Sequence, residues 1–145
     1  MADGDLRSIF RKKLPHFHHV SVETGSTGRG IPDMEYCYNG QSGWVEFKRT
    51  GGWTVDLRPE QVAWLLRRSR AGGRCFVAVR RQTLAGPRKG PPADELWLLR
   101  GSAAAELKLG GLKKAPPNAV VGLWENGPAK WDWAAIERAL LTTPS

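Results

Sequence analysis

The dipeptide Asn39-Gly40 constrains the fold of this chain more than any other feature of its sequence. It separates two strand-like runs, at residues 33–38 and 44–49. Asn-Gly between such runs is the strongest short-range signal for a β-hairpin, because both residues readily adopt the positive φ angles that the turn requires. A two-residue loop here predicts that Tyr38 lies opposite Gln41, and this pairing fixes the register of both strands.

This register divides the side chains of the hairpin between two faces. Asp33 is expected directly across from Glu46, with Cβ atoms roughly 4.5–5.5 Å apart, and Lys48 follows on the same face. Glu35 is expected to join them, because alternate residues of a strand share a face. The opposite face collects side chains that are suited to a core: Met34, Tyr36, Tyr38, Val45 and Phe47. The hairpin therefore has one packing face and one face with three acids and a lysine.

The rest of the chain alternates helical and strand-like segments. Helices are expected over residues 4–14, 59–71, 103–109 and 132–141, and strands over residues 18–23, 75–79, 96–99 and 119–124. Pro59 suits the first turn of the second helix, and Gly72-Gly73 ends that helix. This order of elements predicts an α/β fold with a single domain, in which helices flank a central mixed β-sheet.

The positive charge is concentrated in one part of the chain. The sequence has 22 Lys and Arg against 14 Asp and Glu, and residues 58–89 hold nine of these bases and one acid, which accounts for the net charge of +8. Such a block on a folded domain is typical of proteins that bind the phosphate backbone of nucleic acid. A solvated basic surface is the alternative.

The apolar runs of the chain bear on its location. None approaches the ~18 residues of a membrane span, and the N-terminal residues lack the apolar segment of a secretory signal. We therefore expect a cytoplasmic protein without a membrane partner.

The two facing acids point to a metal ion. Carboxylates in this position repel each other, and the pKa of one rises unless a cation lies between them. A small number of hard oxygen ligands favours Mg²⁺ or Mn²⁺, with open positions for water. Lys48 beside such a metal can orient an attacking water and stabilise charge that develops on a phosphate. The amides of the helix that begins at Pro59 can help to hold the phosphate.

At this point the residues match a known family. Pro32-Asp33 followed by Glu46-Phe47-Lys48 resembles the PD-(D/E)xK nuclease motif. With Gly30-Ile31 before it, and Leu57 and Gln61 after it, the pattern is most similar to the VRR-NUC and archaeal Holliday-junction-resolvase branch, particularly its small phage-type members. The resemblance spans about residues 6–81. It implies a restriction-endonuclease-like nuclease core over about residues 4–81, with a C-terminal strand and helix extension over about residues 94–142.

The resemblance also implies a role for each residue of the motif. Asp33 and Glu46 would bind the metal, with assistance from the carbonyl of Phe47. Lys48 would serve the nucleophile, and Gln61 would support the site. The implied activity is hydrolysis of a phosphodiester bond that depends on Mg²⁺ or Mn²⁺.

The sequence departs from the family at one ligand. The family usually carries a further Glu in the first helix, whereas this helix offers Asp3 or Asp5. Glu23, at the end of the next strand, is the other candidate for the further metal ligand, and we favour it. The alternatives are that Glu23 caps a loop and that Asp5 is a helix N-cap, a position at which Asp is common.

Several basic and aromatic residues are expected to contact nucleic acid. Aromatic rings can stack on bases, and Trp53 lies in the loop after the second hairpin strand, while Trp44 lies on the acidic face; core packing is the alternative for both. The arginines near the end of the second helix flank its apolar stripe, so a solvated face is their alternative. The full set of expected contacts is Arg29, Arg49, Arg67, Arg68, Arg70 and Trp53.

Three functions remain open from the sequence. The first is a structure-specific DNA endonuclease that acts on a junction, flap or fork. A homodimer is expected for it, because two-fold substrates and the resemblance to small resolvases favour one. The second is a nucleic-acid-binding protein without chemistry, in which the acids form an ion-pair group with Lys48 and Arg49. The complete set of Asp, Glu and Lys favours the enzyme. A restriction-type endonuclease is the third, but 145 residues leave little room for a separate base-reading domain.

Overall fold

The computed structural model describes residues 3–22, 29–84 and 90–145. These residues form a six-stranded mixed β-sheet, in which the strands follow the order of the chain, and four α-helices flank it. The predicted α/β class is confirmed. No helix within these residues is long and apolar enough to cross a membrane. The strands are β1 (His18–Ser21), β2 (Met34–Tyr38), β3 (Gln41–Thr50), β4 (Cys75–Thr83), β5 (Ala93–Arg100) and β6 (Val120–Trp124), and the helices are α1 (Leu6–Lys13), α2 (Pro59–Arg70), α3 (Ala104–Gly110) and α4 (Trp133–Thr142).

The predicted hairpin is formed by β2 and β3. Asn39 and Gly40 both have positive φ angles, 52° and 75°, as a tight hairpin turn requires. The strands pair from Tyr38 opposite Gln41 to Met34 opposite Val45, so the predicted register is confirmed. Asp33 lies directly before β2, one residue beyond the last of these pairs.

Helix α2 connects the parallel strands of the sheet. β3 and β4 run parallel, whereas the other neighbouring strands run antiparallel. Two parallel neighbours need a crossover connection, and α2 supplies it. It begins at Pro59, as predicted, and ends at Arg70 before the two glycines.

Helices cover both faces of the sheet. On one face, α1 and α4 pack against the apolar side of the hairpin in a core that includes Met34, Tyr36, Val45 and Phe47. On the other face, α2 and α3 pack against the alternate residues of β4 and β5. The predicted apolar face of the hairpin is therefore confirmed as core, and its acidic face lies on the side of α2.

Strands β4 and β5 are longer than predicted. They continue as an antiparallel pair to Thr83 opposite Ala93, through residues that are mostly polar or charged. The charges are neutralised across the pair, because Arg80 and Arg81 lie 2.7 and 3.1 Å from carboxylate oxygens of the partner strand. The residues that extend the two strands lack the apolar pattern by which a strand is recognised in the sequence.

Candidate active site

The residues of the motif line a cavity of about 570 Å³. The cavity lies where the segment before β2, the middle of β3 and the first turns of α1 and α2 meet. Four of its lining residues are the predicted catalytic set: Asp33, Glu46, Lys48 and Gln61.

Asp33 is held at the cavity by the backbone of β3. Its Oδ2 accepts a hydrogen bond from the N–H of Phe47 at 2.9 Å, and its Oδ1 lies 3.7 Å from Nη2 of Arg7. Burial raises the pKa of Asp33, while the Phe47 N–H and the Arg7 charge oppose the increase. Phe47 contributes its backbone here, since its side chain is buried in the core against Phe10.

Glu46 is almost completely buried, with 2% of its surface exposed. Its Oε2 accepts a hydrogen bond from Nε2 of Gln61 at 2.8 Å and lies 3.5 Å from Nζ of Lys48. Its Oε1 is also buried but has no hydrogen-bond partner among the described residues. Burial raises the pKa of Glu46 to about 7, and the nearby negative charge of Asp33 adds to this increase, which Lys48 opposes.

Gln61 connects helix α2 to both charged residues of β3. Its Oε1 accepts hydrogen bonds from Nζ of Lys48 at 3.1 Å and from the backbone N–H of Arg58 at 2.9 Å. Its Nε2 donates to Glu46. The orientation of the amide is fixed, because a carboxylate only accepts hydrogen bonds and an ammonium only donates them. Gln61 therefore holds Lys48 beside Glu46.

Gly30 brings the segment before Asp33 against the start of α2. A Cβ atom at this position would lie 2.0 Å from the carbonyl oxygen of Glu60, and the φ angle of Gly30 is +76°. Both features exclude a larger residue, so this glycine allows the close contact between the loop and the helix. The contact places Asp33 on the same side of the sheet as Gln61.

The two carboxylates fit a divalent cation in one specific respect. Oε1 of Glu46 is a buried acceptor without a hydrogen bond from the described residues, and a cation would satisfy it. Within the described residues, however, no group of three or more His, Cys, Asp or Glu side chains is placed to hold a metal. The site thus offers two carboxylates, Asp33 and Glu46. Binding by the Phe47 carbonyl stays a prediction.

The further acidic ligand is not found among the described residues. Glu23, the favoured candidate, lies outside them. Asp5 occupies the N-cap position of α1 with a positive φ of 63°, and its side chain makes no capping hydrogen bond within the described chain. Asp3 and Asp5 both line the cavity, but neither joins Asp33 and Glu46 in a metal-binding group.

Glu35 does not line the candidate active site. This residue lies on the predicted face, opposite Trp44, but it lines a different cavity. Two residues along a strand span about 7 Å, which is too far for Glu35 and Asp33 to share one ligand position.

The residues that were expected to contact nucleic acid lie on three surfaces. Arg29 is exposed and directly precedes Gly30, whose backbone lies against the first turn of α2. Arg49 and Trp53 line a cavity of about 420 Å³ beyond the end of β3, and Arg49 is exposed on the face opposite Lys48. The third surface is the exposed side of the last turns of α2, with Arg67, Arg68 and Arg70. Residues 88 and 89 of the basic block lie outside the described residues.

The basic block is less uniform than its sequence suggests. Arg80 is buried and makes two hydrogen bonds to Asp94, at 2.8 and 2.7 Å. Arg81 pairs with Glu95 and lies over the ring of Trp53, 3.8 Å from its centroid. These two arginines are neutralised within the fold, and the ring of Trp53 is already in contact with a cation.

Other cavity residues were not among the predicted site residues. Arg7, Asp56 and Arg58 also line it. None belongs to the motif, and each comes from a segment that reaches the site through the packing of α1 or the loop before α2. A pattern confined to neighbouring residues cannot identify them.

Comparisons with known proteins add no relative to this picture. A scan against protein-family models found no match, and a search of the curated proteins found no matching protein. The function is therefore argued from the residues of the site.

Proposed function

We propose that this protein is a divalent-metal-dependent phosphodiesterase that hydrolyses nucleic acid, and that its substrate is branched DNA such as a junction, flap or fork. The observation that carries the proposal is the cavity that combines Asp33, Glu46 and Lys48. Glu46 has a buried oxygen without a partner among the described residues, an arrangement that is costly for the ionised carboxylate and that a cation would relieve. The resemblance to PD-(D/E)xK nucleases supports the same activity.

The metal would be held by Asp33 and Glu46. Mg²⁺ or Mn²⁺ would supply positive charge that polarises a phosphate oxygen and lowers the pKa of a bound water. The choice of metal follows from the donors, since carboxylate oxygens suit these hard cations.

The chain itself positions the reacting groups. Lys48 has its Nζ 3.1 Å from Oε1 of Gln61 and 3.5 Å from Oε2 of Glu46. Its ammonium group is thereby directed at the metal-binding carboxylate, where it would hold an attacking water and stabilise negative charge on the phosphate. Gln61 is a positioning residue, because its amide fixes Lys48 and Glu46 relative to each other.

The charge distribution supports nucleic acid as the substrate. The arginines of α2 are exposed, and this helix also provides Gln61, so a polyanion that binds the helix would lie close to the cavity. A branched substrate and a homodimer remain proposals that depend on the resemblance.

The test is a panel of labelled four-way junctions, flaps, duplexes and single strands, incubated with Mg²⁺ or Mn²⁺. We expect cleavage of at least one substrate by the wild type and loss of cleavage in Glu46→Gln. Glu106→Gln, at an exposed residue of α3, is the matched control and should cleave normally. Cleavage of no substrate, or equal cleavage by Glu46→Gln, would refute the proposal.

A binding protein without catalysis is the second candidate. It is favoured by the ion pair of Lys48 with Glu46 and by the fact that two acids, rather than three, converge among the described residues. In that case the wild type and Glu46→Gln would bind the substrates equally well, without cleavage in either metal.

A further inference from the structure

A second cavity, of about 500 Å³, lies between the hairpin and the C-terminal half of α2. This volume is within the range of small-ligand sites, about 300–1,000 Å³. Its lining includes Glu35 and Trp44 from the hairpin, and Arg68 and Arg74 from α2 and the segment after it. None of these residues belongs to the candidate active site.

Two tryptophans and an arginine form a cluster at this cavity. The rings of Trp44 and Trp64 meet edge to face, with centroids 5.3 Å apart. The guanidinium of Arg68 lies 4.7 Å from the centroid of Trp64 and 5.6 Å from that of Trp44. Trp44 and Arg68 line the cavity itself, whereas Trp64 lines an adjoining cavity of about 330 Å³, together with Arg67 and Arg68. Both rings are half-buried and packed against the core, so they are held in place while part of each stays accessible.

Such a cluster is suited to stacking with a nucleobase. Aromatic rings and guanidinium planes are the groups on which proteins stack unpaired bases, whereas bases inside a duplex are covered by their neighbours. An occupant that stacks here must therefore come from a single-stranded or extruded nucleotide.

The cavity wall carries charges of both signs, but its two arginines already have partners: Arg74 donates hydrogen bonds to Gln41, Ser42 and Thr143, and Arg68 lies over the two tryptophan rings. Glu35 is half-buried in the cavity wall and would repel a phosphate placed beside it. Its carboxylate can instead accept hydrogen bonds from the amino group of a base. Arg67 and Arg70 are exposed on the last turns of α2 and are available to a phosphate backbone.

We propose that this cavity binds an unpaired nucleobase of a single-stranded nucleic-acid segment, stacked on the cluster of Trp44, Trp64 and Arg68. The proposal rests on the proposed function in one respect, because it assigns a single-stranded segment to the substrate of the nuclease. Trp44 precedes Glu46 by two residues on the same face of β3, a separation of about 7 Å. Neighbouring nucleotides of one strand can therefore reach the cluster and the candidate active site.

The test measures binding without metal, so that cleavage plays no part. Fluorescein-labelled single strands of 12 nucleotides, and duplexes of the same sequence, are titrated in EDTA and followed by anisotropy. We expect Trp44→Leu and Trp64→Leu each to weaken single-strand binding by roughly 5-fold or more, the loss typical of one stacked base, and to change duplex binding by less than about 2-fold. Trp44→Phe should retain most of the affinity. Trp124→Leu, whose ring packs against the core on the other face of the sheet, is the matched control.

A second measurement uses the wild type alone and does not depend on the folding of any variant. A single 2-aminopurine placed along the strand should lose fluorescence on saturation with protein at one or two positions, because stacking on an aromatic ring quenches it. No quenching at any position would overturn the proposal, as would equal weakening of single-strand and duplex binding in both leucine variants. Quenching without cleavage of any substrate would support the base site and refute the nuclease activity. Cleavage without quenching would support the nuclease activity and refute the base site.

Discussion

The buried carboxylate of Glu46 makes the stability of the protein depend on pH in a predictable way. Its ordinary pKa is 4.5, and burial, together with the charge of Asp33, raises it to about 7 in the folded protein. Below pH 4.5 the group is protonated in the folded and the unfolded chain, so it has no effect. Between pH 4.5 and 7 the folded protein retains a proton that the unfolded chain releases, and stability must fall as the pH rises. Above pH 7 the carboxylate is ionised in both states, and the full free-energy cost of burying its charge lowers the stability of the folded protein.

The size of the effect follows from the same two values. A pKa that rises from 4.5 to about 7 corresponds to roughly 3 kcal/mol, at about 1.4 kcal/mol for each tenfold change in the ionisation constant. This figure already includes the attraction of Lys48, which lowers the pKa. Glu46→Gln removes the ionisable group and keeps an oxygen that can accept the hydrogen bond from Gln61. In EDTA, we therefore expect the stability of Glu46→Gln relative to the wild type to increase by roughly 3 kcal/mol from pH 4.5 to pH 8.5.

Urea denaturation, followed by circular dichroism at intervals across this pH range, measures the difference directly. The control is Glu106→Gln, which removes one exposed carboxylate. If the stability difference between Glu46→Gln and the wild type stays constant within about 0.5 kcal/mol, Glu46 ionises as it would in water. The argument that this carboxylate needs a cation would then fail.

Four further predictions concern the site and the surface around it. Calorimetry should detect Mn²⁺ binding to the wild type and no binding to Asp33→Ala. Equal heats of Mn²⁺ binding for the two proteins would contradict the metal site. One residue inserted between Asn39 and Gly40 should abolish cleavage or unfold the domain, because it turns one strand over, and a folded, active variant would contradict the register. Lys48→Ala should lower the single-turnover rate roughly 100- to 1,000-fold with little change in affinity, and a loss of affinity alone would contradict its role. Replacing Arg67, Arg68 and Arg70 with glutamine should have the opposite effect. Binding to every substrate should weaken, and the log–log salt slope should become shallower by up to ~0.9 per lost phosphate contact. An unchanged slope would mark these arginines as a solvated face.

Local rules were sufficient for the elements that carry the site. The turn at Asn39-Gly40 and the alternation of side chains predicted which residues of β2 and β3 pair, and the structure has the same register. Pro59 and the glycines after residue 71 marked the ends of α2 to within one residue. These predictions succeed because a tight turn and a helix terminus depend on the φ angles and hydrogen bonds of a few consecutive residues.

The sequence by itself thus determined the hairpin, the helix that follows it and the proximity of Asp33 to Glu46. The tertiary structure decided which charged residues can act there. It separated Glu35 from the site, paired Arg80 with Asp94, and brought Arg7 to within 3.7 Å of Asp33. The physical reason is that ion pairs and shared cavities depend on distances of a few ångströms between segments that are remote in the chain, and such distances are set by the packing of the helices on the sheet.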